Sequence, residues 1–196
     1  KLSQGLLPVM DIVQSHPEGE TFVRLAMQNT DERVNAGKST TPAFLFASLL
    51  WYEVLGKAKQ LVAQGESPFP ARDAAMTHVL EVQCETLAIP RRYTTDMRDI
   101  WAMQLRFEQA AKRSLSILGH PRFRAGYDFF LLRCEAGEQP AHLGALWTDM
   151  HAVETREQAT ALLDDYVAQF AGVVEKAPAK KRRRRVPKAV AQQPVV

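Results

Sequence analysis

The sequence contains little cysteine, and it lacks any long apolar segment. Two cysteines among 196 residues are too few for a disulfide framework or a metal cluster, so a reducing compartment is favoured. The most apolar stretch, residues 41–52, is well short of the ~18 residues that cross a bilayer, so we predict no membrane span and a cytoplasmic protein. The chain begins without methionine or a leader-like segment, and we expect a fragment or a processed product.

Motifs for independent catalysis are also missing. The sequence has no glycine-rich phosphate loop, no HExxH, CxxC or GxSxG, and no acidic pair that follows a strand. Its five histidines are scattered without the spacing of metal ligands. Cys84 and Cys134 fall on apolar stripes and are predicted to be buried thiols. We therefore predict no catalytic residue, no metal ligand and no cofactor in this chain.

Hydrophobic spacing is helical almost everywhere, and no stretch alternates apolar and polar residues as a half-buried strand does. The predicted fold is all-α, an irregular multi-helix bundle around one core over residues 1–175. Residues 176–196 lack apolar periodicity and are predicted to form a disordered basic tail. Helices are predicted at about residues 5–14, 20–35, 42–64, 73–87, 95–107, 109–118, 121–134, 140–149 and 156–174.

Three of these helices are particularly informative. Residues 42–55 are apolar on nearly every side, and residues 121–134 carry two apolar faces, so both are predicted to be central. The helix at 156–174 has a single apolar stripe that includes Val167. Thr155 and Gln158 form a capping box at its start, which satisfies two backbone donors.

The basic residues are concentrated at the end of the chain. The whole sequence has 25 basic and 22 acidic residues, but residues 176–196 hold eight basic residues and no acid. Six consecutive cations at 180–185 favour binding to a polyanion, with a merely solubilising end as the alternative.

A second concentration of positive charge lies in the folded part. Residues 91–133 hold nine basic and four acidic residues, whereas the remainder of residues 1–175 holds eight basic and eighteen acidic residues. If the helices bring this basic band together, it forms one positive face that suits nucleic acid; the alternative is a solvated face with local ion pairs. Tyr93 is a candidate for stacking on bases, whereas Trp101 shares the spacing of core residues. The candidate RNA-binding residues are Arg91, Arg92, Tyr93, Arg98, Arg106, Lys112, Arg113, Arg122 and Arg124 in the folded part and Lys180, Lys181, Arg182, Arg183, Arg184 and Arg185 in the tail.

Three stretches and the arginine-rich end resemble, in order and spacing, the bacterial poly(A) polymerases, relatives of the tRNA CCA-adding nucleotidyltransferases. The stretches are TPAFLFASLLWYEVL at 41–55, LAIPRRYTTDMRDIWAMQLRF at 87–107 and HPRFRAGYDFFLLRCE at 120–135. The resemblance covers most of residues 20–135 and is weaker over 136–175. In that family an N-terminal head carries metal-binding aspartates, a neck recognises ATP, and helical body and leg regions with a basic tail hold RNA.

The chain resembles only the latter part of that family, because the GS and DxD signature of the head is absent. The resemblance implies a C-terminal region that is inactive alone, in a parent that adds adenosines to RNA 3′ ends with ATP and Mg²⁺. It also implies single-stranded RNA as the partner, and RNA-degradation machinery as a further one. CCA addition by the parent stays open, although the basic tail favours adenosine tailing.

Two readings from other classes remain. The predicted helices at 73–87 and 95–107 would form a helix-turn-helix in a DNA-binding regulator, although the second helix carries an apolar stripe instead of a row of base-reading residues. In a protein-interaction scaffold, the basic tail would engage an acidic partner.

Overall fold

The computed structural model describes residues 2–170. Every secondary-structure element in that range is an α-helix or a 3₁₀-helix, so the all-α prediction is confirmed. No helix in this range has both the length and the apolar character that a membrane crossing needs. The predicted tail and residues 171–174 of the last predicted helix lie outside the described residues. The α-helices are α1 (Leu2–Gln14), α2 (Gly19–Asn35), α3 (Pro42–Leu49), α4 (Trp51–Ala63), α5 (Pro68–Thr86), α6 (Thr94–Gln109), α7 (Phe123–Glu135), α8 (Ala141–Ala152) and α9 (Arg156–Gln169), and two 3₁₀ segments span Arg91–Tyr93 and Lys112–Gly119.

Helix starts follow the proline and capping signals of the sequence. Pro42 and Pro68 occupy the first turn of α3 and α5, where a missing backbone N–H is harmless. At α9, the Thr155 hydroxyl accepts a hydrogen bond from the Gln158 backbone N–H at 3.2 Å. The Gln158 side-chain oxygen in turn accepts one from the Thr155 backbone N–H at 3.1 Å. The predicted capping box is therefore confirmed.

The predicted helix at 42–64 is interrupted at Leu50, which separates α3 from α4. Leu50 has φ −93° and ψ 2°, and neither glycine nor proline marks the break. Leu50, Trp51 and Tyr52 are all fully buried. Successive side chains of a straight helix point in directions about 100° apart. The interruption at Leu50 therefore helps all three side chains to reach apolar neighbours.

The predicted helix at 109–118 forms only in part, as the 3₁₀ segment at Lys112–Gly119. Ala110 takes a left-handed conformation, with φ 40° and ψ 53°, and ends α6. The chain continues as the second 3₁₀ segment, which buries Leu115 and Ile117. Alanine is a strong helix former, so only tertiary packing explains why the helix stops there.

Apolar side chains form two buried clusters in the described range, whereas the sequence predicts one core. The first cluster joins helices α1 to α5 with Trp101 of α6 and Phe129 of α7. The second joins Phe107 of α6 and Phe130 of α7 with the second 3₁₀ segment, α8 and α9. Because α6 and α7 contribute to both clusters, these two helices hold the halves of the fold together.

Helix α6 lies at the centre of the fold and packs against α3, α5, α7 and α8. The indole of Trp101 is fully buried and donates a hydrogen bond to the Ala47 carbonyl oxygen at 3.0 Å, so its assignment to the core is confirmed. The central position predicted for 121–134 is also confirmed, since α7 contributes to both clusters. A helix enclosed in this way is not available to enter a DNA groove, which argues against the helix-turn-helix reading.

The apolar stripe of α9 is narrower than predicted. Ala159, Leu163 and Tyr166 are buried, but the side chain of Val167 is 41% exposed. Helix α9 packs against α8 and the second 3₁₀ segment, which cover only one side of it.

A buried ionic network ties the two clusters together around Arg133, whose side chain is only 1% exposed. Its guanidinium donates to Glu138 Oε1 at 2.9 Å, Gln104 Oε1 at 3.0 Å and Glu108 Oε1 at 2.8 Å. It also lies 4.5 Å from the ring centroid of Trp51. Burial alone would lower the pKa of Arg133, but the two carboxylates outweigh it and raise that pKa.

Candidate nucleic-acid interface

The folded part of the basic band divides between two edges of α6. We call the edge next to α5 the α5-side surface and the edge next to α7 the α7-side cleft. Arg98 and Asp96 are two residues apart on α6, about 200° around the helix, so they face opposite edges. Arg98 and the arginine that pairs with Asp96 therefore lie at different edges of α6.

The α5-side surface begins at the first 3₁₀ segment. Arg91 and Arg98 line one groove between α5 and α6, together with the acidic residues Glu81 and Glu85. Arg98 Nη2 lies 2.7 Å from Asp73 Oδ1, and its Nη1 donates to Thr77 Oγ1 at 2.8 Å. This end of the surface therefore carries mixed charge.

At the other end of the α5-side surface, two arginines lie near one aromatic ring. The guanidinium carbon of Arg106 lies 5.1 Å from the ring centroid of Phe69, and that of Arg113 lies 5.9 Å from the same centroid. Arg106 and Phe69 line a cleft of about 290 Å³ that also contains Asp73 and Asp99. Within residues 2–170, no carboxylate lies within 4 Å of the guanidinium of Arg106 or Arg113. These two cations therefore have no carboxylate that an external anion would have to displace.

The α7-side cleft has a volume of about 240 Å³ and lies among α2, α3, α6 and α7. Arg122 Nη2 lies 2.7 Å from Asp96 Oδ1, and Arg124 Nε lies 3.0 Å from Asp128 Oδ1. Arg33, which the sequence argument did not select, also faces Asp128, at 3.7 Å. Three cations and two carboxylates share this cleft, so its charge is largely compensated.

The remaining candidates of the folded part already have partners within the chain. The Lys112 ammonium is 3.0 Å from Asp164 Oδ1, beside α9. The Arg92 guanidinium lies 4.7 Å from the Tyr93 ring centroid and donates to the Tyr93 hydroxyl at 3.0 Å. Tyr93 is half-buried and belongs to a 3₁₀ turn, and its ring packs near Phe46, so it offers less free surface than a loop tyrosine. The tail candidates at 180–185 lie outside the described residues.

Arg133, which contributes to the charge of the band, does not contribute to its surface, because it is enclosed by Glu108 and Glu138. The other ion pairs of Arg98, Lys112, Arg122 and Arg124 involve at least one partly exposed side chain. Exposed pairs of this kind contribute only about 0–1 kcal/mol, so a phosphate is able to compete for the cation.

The described range also contains possible metal ligands and the two thiols. No group of three or more histidine, cysteine, aspartate or glutamate side chains is arranged there to hold a metal ion. Cys84 and Cys134 are half-buried, so the prediction of buried thiols holds only in part. Burial nevertheless raises the pKa of the Cys134 thiol to about 11 and also raises that of Cys84.

One family of known proteins matches a range that includes both the basic band and the basic end. The family described as "Polymerase A arginine-rich C-terminus" matches residues 64–188. The chain belongs to this family. All fifteen candidate RNA-binding residues lie in the matched range, including the six cations at 180–185.

The relatives that this chain matches are longer proteins. Poly(A) polymerase I of Escherichia coli O157:H7 is 38% identical over 175 residues, which cover 86% of this chain and 35% of that protein. Poly(A) polymerase I of Salmonella typhi is 35% identical over 175 residues, with the same coverage. Poly(A) polymerase I of Haemophilus influenzae is 33% identical over 165 residues, which cover 80% of this chain and 36% of that protein. The chain thus spans about a third of the length of these relatives.

Proposed function

We propose that this chain is the RNA-holding C-terminal region of a bacterial poly(A) polymerase. The observation that carries the proposal is the convergence of Arg106 of α6 and Arg113 of the second 3₁₀ segment on Phe69 of α5. Neither guanidinium has a carboxylate within 4 Å in the described part of the chain. Guanidinium groups match the geometry of phosphate oxygens and stay charged at any working pH.

The proposed role is positioning. Arginines of the α5-side surface and the cations at 180–185 contact RNA phosphates, which carry little sequence information and suit an enzyme that acts on many transcripts. A strand held in this way presents its 3′ hydroxyl to the catalytic head of the longer protein. In that head, ATP would supply an adenylyl group with pyrophosphate as the leaving group, and Mg²⁺ would stabilise the charge on the phosphate groups.

The proposal requires RNA affinity that falls steeply with salt. We expect the chain to bind a fluorescently labelled single-stranded oligoadenylate in an anisotropy titration. Each phosphate contact lowers the slope of log affinity against log salt by about 0.7 on a single strand. Removal of residues 176–196 then makes the slope less negative, by about 4 if six tail contacts are lost.

Two controls sharpen this titration. A double-stranded DNA of equal length tests the helix-turn-helix reading, which requires tighter binding to the duplex. The substitution Arg24→Gln removes an exposed arginine of α2, which lines neither groove of the α5-side surface, and is expected to leave the slope nearly unchanged. RNA affinity that does not respond to salt would overturn the proposal.

A further inference from the structure

Phe69 is an exposed aromatic residue held between cations. Its side chain is 36% exposed at the start of α5, where Pro68 and Pro70 flank it. Arg106 and Arg113 both bring a guanidinium group near this ring, beside apolar residues such as Met76 and Leu105 that line the same cleft. Proteins bind unpaired bases with partly exposed aromatic rings that have arginines beside them.

The neighbours of Phe69 are free to make room for a ligand. Arg113 is exposed, and its side chain is held only by Gln109 Oε1, at 3.1 Å from Nε. Arg106 is half-buried and lines the cleft of about 290 Å³ beside the ring. That volume is at the lower end of the roughly 300–1,000 Å³ of small-molecule sites, which suits one base better than a longer segment.

We propose that Phe69, Arg106 and Arg113 form a binding site for one unpaired nucleobase of RNA. The base stacks on the Phe69 ring in place of one guanidinium group, and the two arginines contact the base plane or its flanking phosphates. This inference rests on the proposed RNA-binding function and adds a preference for single strands, because bases paired in a duplex do not present a free face. Phe69 is one of the residues that charge-based sequence reasoning overlooks.

The test compares Phe69→Leu with Phe69→Trp in the 196-residue chain. Leucine keeps an apolar side chain but removes the π-face, whereas tryptophan keeps a face on which a base stacks. We expect Phe69→Leu to weaken binding of single-stranded oligoadenylate about 5- to 150-fold and Phe69→Trp to retain the affinity of the unsubstituted chain. The salt slope of Phe69→Leu stays the same, since no phosphate contact is lost. Met27→Leu, at a 57% exposed position on α2, is the matched control and is expected to bind normally.

Several outcomes separate this inference from the proposed function. If the unsubstituted chain fails to bind RNA, the proposed function fails and the nucleobase site with it. If that chain binds RNA but Phe69→Leu binds equally well, or if Phe69→Leu weakens single-stranded and duplex RNA to the same degree, only the nucleobase site is overturned. Thermal unfolding by circular dichroism checks that each variant is folded, and an RNA containing 2-aminopurine reports stacking directly through quenching by Phe69→Trp.

Discussion

Substitution of Arg133 by methionine tests whether the buried ionic network holds the two apolar clusters together. Methionine keeps much of the volume but removes the charge and the donors. Glu108 then keeps Arg72 at 3.7 Å, and Glu138 keeps the Trp51 indole N–H at 2.9 Å, so each carboxylate retains one partner. Neither is well solvated, because the Glu108 and Glu138 side chains are 19% and 8% exposed.

Removing one partner of a buried ion pair costs about 3–5 kcal/mol, because the other charge stays buried. A domain of this size has a free energy of unfolding of about 5–15 kcal/mol, so the loss is a large share of the total. At about 2–4 °C per kcal/mol, Tm falls by roughly 6–20 °C. Urea unfolding followed by tryptophan fluorescence and circular dichroism measures the change.

The matched control is Arg122→Met, which removes a 46% exposed arginine paired with Asp96 at 2.7 Å. A pair of that kind contributes about 0–1 kcal/mol. The double variant Arg133→Met/Glu138→Gln removes one of the buried charges as well, and we expect it to lose less than the sum of the two single variants. A loss for Arg133→Met as small as that for Arg122→Met would refute the structural role of the network.

Three further predictions concern other parts of the fold. Gly19→Ala destabilises the junction of α1 and α2 by about 1–3 kcal/mol in urea unfolding, because a Cβ there would overlap the Val13 carbonyl group; unchanged stability would contradict this packing. Thr155→Ala removes the cap of α9 and lowers the free energy of unfolding by about 1 kcal/mol, whereas an unchanged Tm would mean that the capping box contributes nothing. A Cys84→Ser background leaves Cys134 as the thiol that is measured. We expect its thiolate absorbance to titrate with a midpoint near pH 11, because burial raises the pKa of Cys134 to about 11. Because the unfolded thiol ionises near pH 8.5, stability falls between about pH 8.5 and 11, and a folded-state midpoint near 8.5 would exclude burial of this thiol.

The parts of the fold that were predictable are those that local signals specify. The spacing of apolar residues indicates helices, Pro42 starts α3, and Thr155 with Gln158 starts α9. The breaks at Leu50 and Ala110 were not predictable, because good helix formers occupy both positions and tertiary packing decides the backbone. The division into two clusters follows from long-range contacts, which the spacing of apolar residues along the chain does not predict.

The candidate site shows the same limit. Sequence identifies Arg106 and Arg113 as cations of the basic band, but charge counts do not tell which arginines share an edge of α6. Arg133 counts as positive in the band although it is enclosed by Glu108 and Glu138. Phe69 was missed because it lies 37 residues before Arg106 along the chain and meets it only in the fold. Its position between Pro68 and Pro70 was the available sequence signal.

The most direct test of the account compares the two edges of α6 in one salt titration. Arg106→Gln/Arg113→Gln removes the two cations of the α5-side surface, and Arg122→Gln/Arg124→Gln removes two that pair with carboxylates in the α7-side cleft. With single-stranded oligoadenylate, we predict that the first double variant makes the slope of log affinity against log salt less negative by about 1.4. The second is predicted to change the slope far less. Equal slopes for the first variant and the unsubstituted chain, or a larger change in the second, would contradict RNA binding at the α5-side surface.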